Sequence, residues 1–445
     1  MTAEPLSAEP LPADQTRTDP SPAGPAPAKR LTAVPPVEPA PTTRPRAGLA
    51  EALVARRNQL TRAAQWFAGT EGDPYGLLLR AGADDPARHE ERVREQGPLY
   101  RSAPLDTWVT AHRAVAEQVL TDPAFDGTGP DGTPDGLDGL PLRSDLLSLD
   151  RATAARLAPL TAFGGPLLWA REENCVAQRA ATYARRLLEG CGEHFDLAED
   201  FARRLPGAVL AEQFSLPDTA HEEFARVLPD CRYALDGLVC PQPYATARAT
   251  RAAEATVAAL LTRHLSEAGG ADAAGEDTAR AAGVLAVSAA ETTAVLIVET
   301  VRRLRARTGA WDRLTADPAL AAEAVRETLR TSPPVRLETR TTRTETTLAG
   351  TELPAGARVA VLMAAVGRDP GAPAGAAPLG LAPDLHFALS APLITSIAGA
   401  ALRTLAETLP HLREAGEPVT RPRSPVLLAP ARFPVAKRES TPCAS

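Results

Sequence analysis

Residues 279–307 constrain this chain more than any other stretch. At 1.5 Å per residue they form one helix of about 40 Å, and the segment AAGVLAVSAA within it is apolar almost all the way round. A helix with no polar face has nothing to present to water, so it must be buried centrally. A chain of 445 residues is long enough to bury one large core or two ordinary domains around it. Other segments also carry helical patterns, notably 47–67, 170–189, three or four helices over 196–264, 318–331 and 394–408.

Composition narrows the class. Aromatic residues make up only 4% of the chain against 44% apolar overall, so the core is filled by Leu, Val and Ala. A net charge of -7 without a cationic stripe argues against a nucleic-acid partner. The five cysteines, Cys175, Cys191, Cys231, Cys240 and Cys443, form no CxxC pair and no metal-ligand spacing. Their odd, scattered count is a poor disulfide framework and suits free thiols in a reducing compartment. The start has no basic and apolar signal pattern, and no unbroken apolar run reaches about 18 residues, so a cytoplasmic protein with no membrane span is expected.

Residues 1–45 have a proline every few positions and almost nothing large and apolar. They cannot offset the entropy of ordering, so a disordered Pro-rich tail is expected, followed by a single domain over 46–440. A PxxP docking ligand is the functional alternative for the tail. Over 47–67, Leu49, Leu53, Leu60, Ala64 and Phe67 share one side of a helix, with Glu51, Arg56, Arg57 and Gln59 elsewhere. The simpler expectation is that this stripe packs on the protein's own core. The alternative is a partner-binding helix anchored by Leu53, Trp66 and Phe67. The formal GxGxxG at Gly127, Gly129 and Gly132 follows no strand and opens no helix, so it is neither a phosphate cradle nor, lacking an acid at the twelfth position, a calcium loop.

The most ordered block begins at Glu327-x-x-Arg330. It continues through Pro333-Pro334, Arg340, a hairpin over 342–356, a strand over 357–366 and Gly367-Arg368-Asp369-Pro370. Upstream stand Asp122-Pro123-Ala124-Phe125 and Ser288-Ala289-Ala290-Glu291-Thr292-Thr293. In this order the motifs resemble those of bacterial cytochromes P450, with E-x-x-R, x-I-P-A-G, N-R-D-P and A-G-x-E-T-T as counterparts. The resemblance covers about residues 70–437 and implies the P450 fold, mainly α with a small β region.

The same resemblance implies a lost metal centre. Laid without a gap on the haem-binding loop H-L-A-F-G-x-G-x-H-x-C-x-G-x-x-L-A-R, the chain keeps His386, Ala388 and Arg403. Ser396 falls at the cysteine ligand, Ile394 at the residue that meets a haem propionate, and Ser390 and Pro392 at two glycines. Ala289 replaces the glycine of the oxygen groove. Asn174 and Gln178 take the places of the basic pair in the H-x-x-x-R helix. A serine hydroxyl has too high a pKa to serve as the electron-rich anionic ligand that cleaves O–O in this family. The implied cofactor is therefore none, while Glu327, Arg330 and Arg340 remain as structural residues. Glu327 is expected to pair with both arginines in a largely buried site.

Fold kept and cofactor abandoned is similar to the P450-derived auxiliary proteins of antibiotic pathways. These bind and activate a glycosyltransferase that moves a nucleotide-activated deoxysugar onto a polyketide aglycone, and the phrase FGGPLLW at 163–169 fits that group. The resemblance implies a non-enzyme whose partner is a glycosyltransferase. Two alternatives stay open: a small-molecule binding protein that uses the empty pocket, and an unorthodox haem oxidoreductase with His386 or another residue as ligand.

Overall fold

The computed structural model describes residues 46–80, 85–132, 142–165, 167, 173–269, 273–373, 375–428 and 430–437. The architecture below belongs to the unit Leu49–Ser445. The proposed tail at 1–45, Cys443, most of the glycine-rich loop and part of FGGPLLW lie outside the described residues.

Nine helices carry the argument: α1 Arg46–Thr70, α2 Arg151–Thr161, α3 Glu173–Gly190, α4 Arg204–Gln213, α5 Asp218–Val227, α6 Tyr244–Gly269, α7 Ala273–Ala306, α8 Ala321–Thr331 and α9 Leu385–Thr408. The long apolar helix is α7, and its burial matches its sequence. From residue 281 to 300 every side chain is buried except those of Ala290 and Glu299, which are half-buried. Helices α2, α4, α6, α8 and α9 pack around it. Both α7 and α9 are long and apolar enough by length and mean composition to cross a membrane, although neither is an unbroken apolar run. Their apolar windows are 94% and 72% buried inside the protein, which makes them core helices.

The small β region contains a five-stranded sheet in the order Tyr100–Ser102, Thr107–Thr110, Arg358–Leu362, Leu337–Thr342, Phe125–Asp126. The pairing of Thr107–Thr110 with Arg358–Leu362 is parallel and the others are antiparallel. The hairpin expected at 342–356 is formed by Thr346–Leu348 and Thr351–Leu353. Ala349 and Gly350 turn it with φ of 51° and 78°, and two positive φ values are what a tight two-residue hairpin requires. Near the C-terminus Val419–Thr420 pairs with Pro430–Arg432, and Pro434–Ala436 joins His194–Asp196 and Arg413–Glu414 in a separate sheet.

The block after Glu327 is a physical unit. The short helix Met363–Gly367 ends so close to α8 that a Cβ on Gly367 would sit 1.6 Å from the Arg330 carbonyl oxygen, so only glycine fits. Arg368 donates to the Thr331 carbonyl at 2.8 Å and pairs with the buried Glu90, while Asp369 accepts from the Arg113 backbone N–H at 2.7 Å. The G-R-D-P phrase thus clamps the end of α8 to two N-terminal helices.

Candidate functional site

The resemblance placed a loop at 386–393, closing a pocket, and started the last long helix at 394. The structure corrects this: α9 is one helix from Leu385. Asp384 caps it with extended backbone, and Leu385 enters in the left-handed region at φ 50°. Side chains from Leu385 to Phe387, then Leu389, Ser390, Leu393, Ile394, Ser396 and Ile397, are buried against the core, while Pro392 faces out. Proline at the eighth helical position cannot donate a backbone bond and normally breaks a helix. Burying this many apolar side chains, each worth about 1.5–3 kcal/mol, outweighs that loss.

Ser396 and Ile394 are therefore core residues. Ile394 has no exposed surface, and the Ser396 hydroxyl finds no hydrogen-bond partner among the described residues. Ser390 bonds back to the His386 carbonyl at 3.1 Å, within the helix. No cysteine lies in α9. Facing it, Ala289 of α7 is fully buried, and Thr292 and Thr293 are buried without hydrogen-bond partners among the described residues. Glu291, the retained acid, is held in a buried triad: Arg203 Nε lies 3.1 Å from both carboxylate oxygens and Arg421 Nη2 lies 2.6 Å from Oε1. The carboxylate is thus engaged by two guanidinium groups from separate segments.

These residues do not fit haem. The cavity beside His386 and Arg340 measures about 30 Å³, whereas a ligand of drug size needs about 300 Å³ or more. His386 is fully buried there, and burial, then the charge of Arg340, pushes its pKa down to about 3. Among the cavities with more room, one is lined by a thiol, that of Cys231. Burial and the nearby Glu254 carboxylate push that thiol well above its ordinary value, the opposite of what a thiolate ligand needs.

The position assigned to Asn174 fares no better. Its side chain lies outside the described residues, but Gln178 one turn on is exposed, so this register does not point inward. Helices α2 and α8 each lie against both α7 and α9, whereas α3 packs mainly on α9 and α4.

Among the three structural residues, Arg340 and Glu327 have separate environments. Arg340 is 1% exposed. It donates to Glu338 at 2.8 Å, to both oxygens of Asp384 and to the Thr339 carbonyl at 2.7 Å. Arg151 reaches Asp384 at 3.0 Å from the other side. Burial alone would lower the Arg340 pKa, yet Asp384 and Glu338 raise it above its ordinary value. Glu327 does not touch this cluster. It pairs with Arg330 through two bonds of 2.8 Å, with side chains 40% and 43% exposed. The expectation of a buried Glu327–Arg330–Arg340 site is thereby corrected: α8 turns its E-x-x-R face toward solvent.

Helix α1 also reverses the simpler expectation. Its inward line is Asn58, Gln65, Ala68 and Gly69, with Gln65 donating to the Val239 carbonyl at 3.0 Å. Its apolar line faces out: Leu53 is 58% exposed, Leu60 61%, Trp66 54% and Phe67 65%. Arg80 stacks on Trp66 at 3.8 Å, and Glu51 bonds Tyr244 at 2.9 Å. Periodicity defined this stripe but could not say which way it turns.

Comparison with known proteins agrees with the fold. The cytochrome P450 family profile matches residues 300–372. Protein TylM3 of Streptomyces fradiae is 45% identical over 421 residues, covering 89% of this chain and 96% of its own. The cytochrome P450 family protein EryCII of Saccharopolyspora erythraea is 35% identical over 88% of this chain and 99% of its own. The crystal structure of ligand-free Mycobacterium smegmatis CYP164A2 superposes with a TM-score of 0.69 at 24% identity, over 82% of this chain and 99% of that one.

Proposed function

The chain belongs to the cytochrome P450 family, and we propose that within it this protein has no turnover of its own. It binds a glycosyltransferase that transfers a nucleotide-activated deoxysugar to a polyketide-type aglycone, and holds that enzyme in its active state. The observation that carries this reading is a pair of inversions. The helix that should open onto a cofactor fills the interior at Ile394 and Ser396, while α1, which should bury its apolar line, displays it.

An activator of this kind needs no catalytic residue. A protein shifts its partner's equilibrium through differential affinity for the partner's two states, so a surface complex suffices. Large apolar side chains carry most of the energy of such complexes, and Leu53, Trp66 and Phe67 are the anchors on α1. Mixing this protein with the cognate glycosyltransferase raises sugar transfer and gives a joint peak on size exclusion. The Leu53→Glu/Phe67→Glu variant, altered only at exposed positions, keeps its melting temperature and loses both effects. Equal transfer with and without the protein, and no complex at micromolar concentration, would overturn the proposal.

A second reading has one observation in its favour. A cavity of about 360 Å³ lies beside α1, lined by Leu60, Ala64, Tyr75, Leu79, Leu105 and Val239 among others. If small-molecule binding is the function, an apolar ligand stabilises the isolated protein with no glycosyltransferase present.

A further inference from the structure

A second, larger cavity, of about 420 Å³, lies on the opposite account of charge. Its floor is one face of α7, formed by Val287, Ala290 and Glu291 at helical spacing, and its walls are α4, α5 and the turn that follows α5. Four arginines line it, Arg203, Arg204, Arg226 and Arg232, against two glutamates, Glu199 and Glu291. Both glutamates are already paired with Arg203, and Glu291 also with Arg421. The other three lining arginines have no carboxylate partner among the described residues. Arg204 and Arg226 stand exposed at the rim. Arg232 is half-buried, and its Nε is shut off from solvent with no acceptor among the described residues. A buried N–H without an acceptor is unfavourable until a ligand supplies one.

We propose that this cavity binds an organic phosphate, a small molecule with an apolar body and a phosphate or diphosphate group. Four cations against two anions leave a surplus of two positive charges, which matches a phosphate dianion better than a singly charged carboxylate. The apolar floor, with Leu187 and Leu228, accommodates the body, and the volume falls within the usual range for a small ligand. None of this rests on the partner reading, since the site is complete in this chain alone.

The test uses the full chain and four probes, with dodecyl phosphate as the organic phosphate. Calorimetry should give one site of micromolar affinity that weakens as salt rises. Arg232→Gln should weaken binding at least tenfold, as should Arg204→Gln/Arg226→Gln, whose exposed positions leave the fold intact should Arg232→Gln prove unstable. Ala208→Leu, which narrows the cavity without changing a charge, should weaken it likewise. Methyl phosphate and inorganic phosphate, lacking the body, should bind at least tenfold more weakly, and laurate, a singly charged carboxylate, should bind more weakly still. No binding of dodecyl phosphate at millimolar concentration overturns the proposal, as does binding unchanged in the arginine variants. Equal affinity for inorganic phosphate, or tighter binding of laurate, overturns the assignment of ligand class.

Discussion

Arg340 and Glu327 belong to the same run of family motifs, yet the fold treats them in opposite ways. Arg340 lies at the centre of a buried cluster with Glu338 and Asp384, whereas Glu327 and Arg330 form a pair at the surface. A motif preserved in sequence therefore does not by itself say which residue the fold depends on. Burial decides that. An uncompensated charge in the core cannot be rescued by solvent, while an exposed one is rescued at once.

The largest effect should follow Arg340→Ala, which leaves Glu338 and Asp384 buried without their shared partner. Breaking a buried pair costs about 3–5 kcal/mol, so the variant should express poorly or unfold at much lower urea. A urea midpoint within error of the parent would remove Arg340 from the core of the account.

Next in size is an acid effect centred on His386. Its pKa is near the usual histidine value in the unfolded chain and about 3 in the fold. A depressed folded pKa gives stability that is present above about pH 6.5 and is lost as pH falls toward 3. Asp236, pushed up to about 6 by burial, and Glu254, pushed up to about 7 by burial, act in the opposite sense as the pH falls. The His386→Gln difference isolates one group. The variant should gain on the parent by on the order of 3 kcal/mol between neutral pH and about pH 4, judged from the shift cited. Parallel pH profiles for the two proteins would show that His386 is not a buried neutral imidazole.

Smaller still is Glu327→Ala. Exposed ion pairs contribute about 0–1 kcal/mol, so thermal unfolding should shift by at most a few degrees. A loss comparable with that of Arg340→Ala would return Glu327 to the buried site that its motif suggests. The smallest effect belongs to Ser396→Cys, which exchanges one atom, oxygen for sulfur, at a hydroxyl with no hydrogen bond to lose among the described residues, and should leave the urea midpoint within error of the parent. It should give no hydroxylase turnover, because Ile394, Ala289 and the helix itself still occupy the space.

Much of the fold was legible because its signals are local. The all-round apolar pattern marked α7, and the ordered block after Glu327 marked the hairpin and the strand that follows it. What the sequence hid was relational. The partner of Arg340 stands 44 positions away at Asp384, and Glu291 meets Arg203 across 88 positions and Arg421 across 130. Helix spacing found the stripe on α1 without its direction, since a stripe is the same whether it faces a core or a partner. At α9 the loop geometry was carried over with the alignment, although Leu389, Leu393, Ile394 and Ile397 already have the spacing of a buried helix face. The four-arginine cavity was missed because its residues come from separate helices with no motif among them.

The central claim is that α9 fills the place of the cofactor in an otherwise preserved P450 fold, and hemin reconstitution tests it most directly. Purified protein incubated with hemin, desalted, reduced and exposed to carbon monoxide should show no stoichiometric haem spectrum and no shift with the gas. A stoichiometric, CO-responsive Soret band would contradict the account.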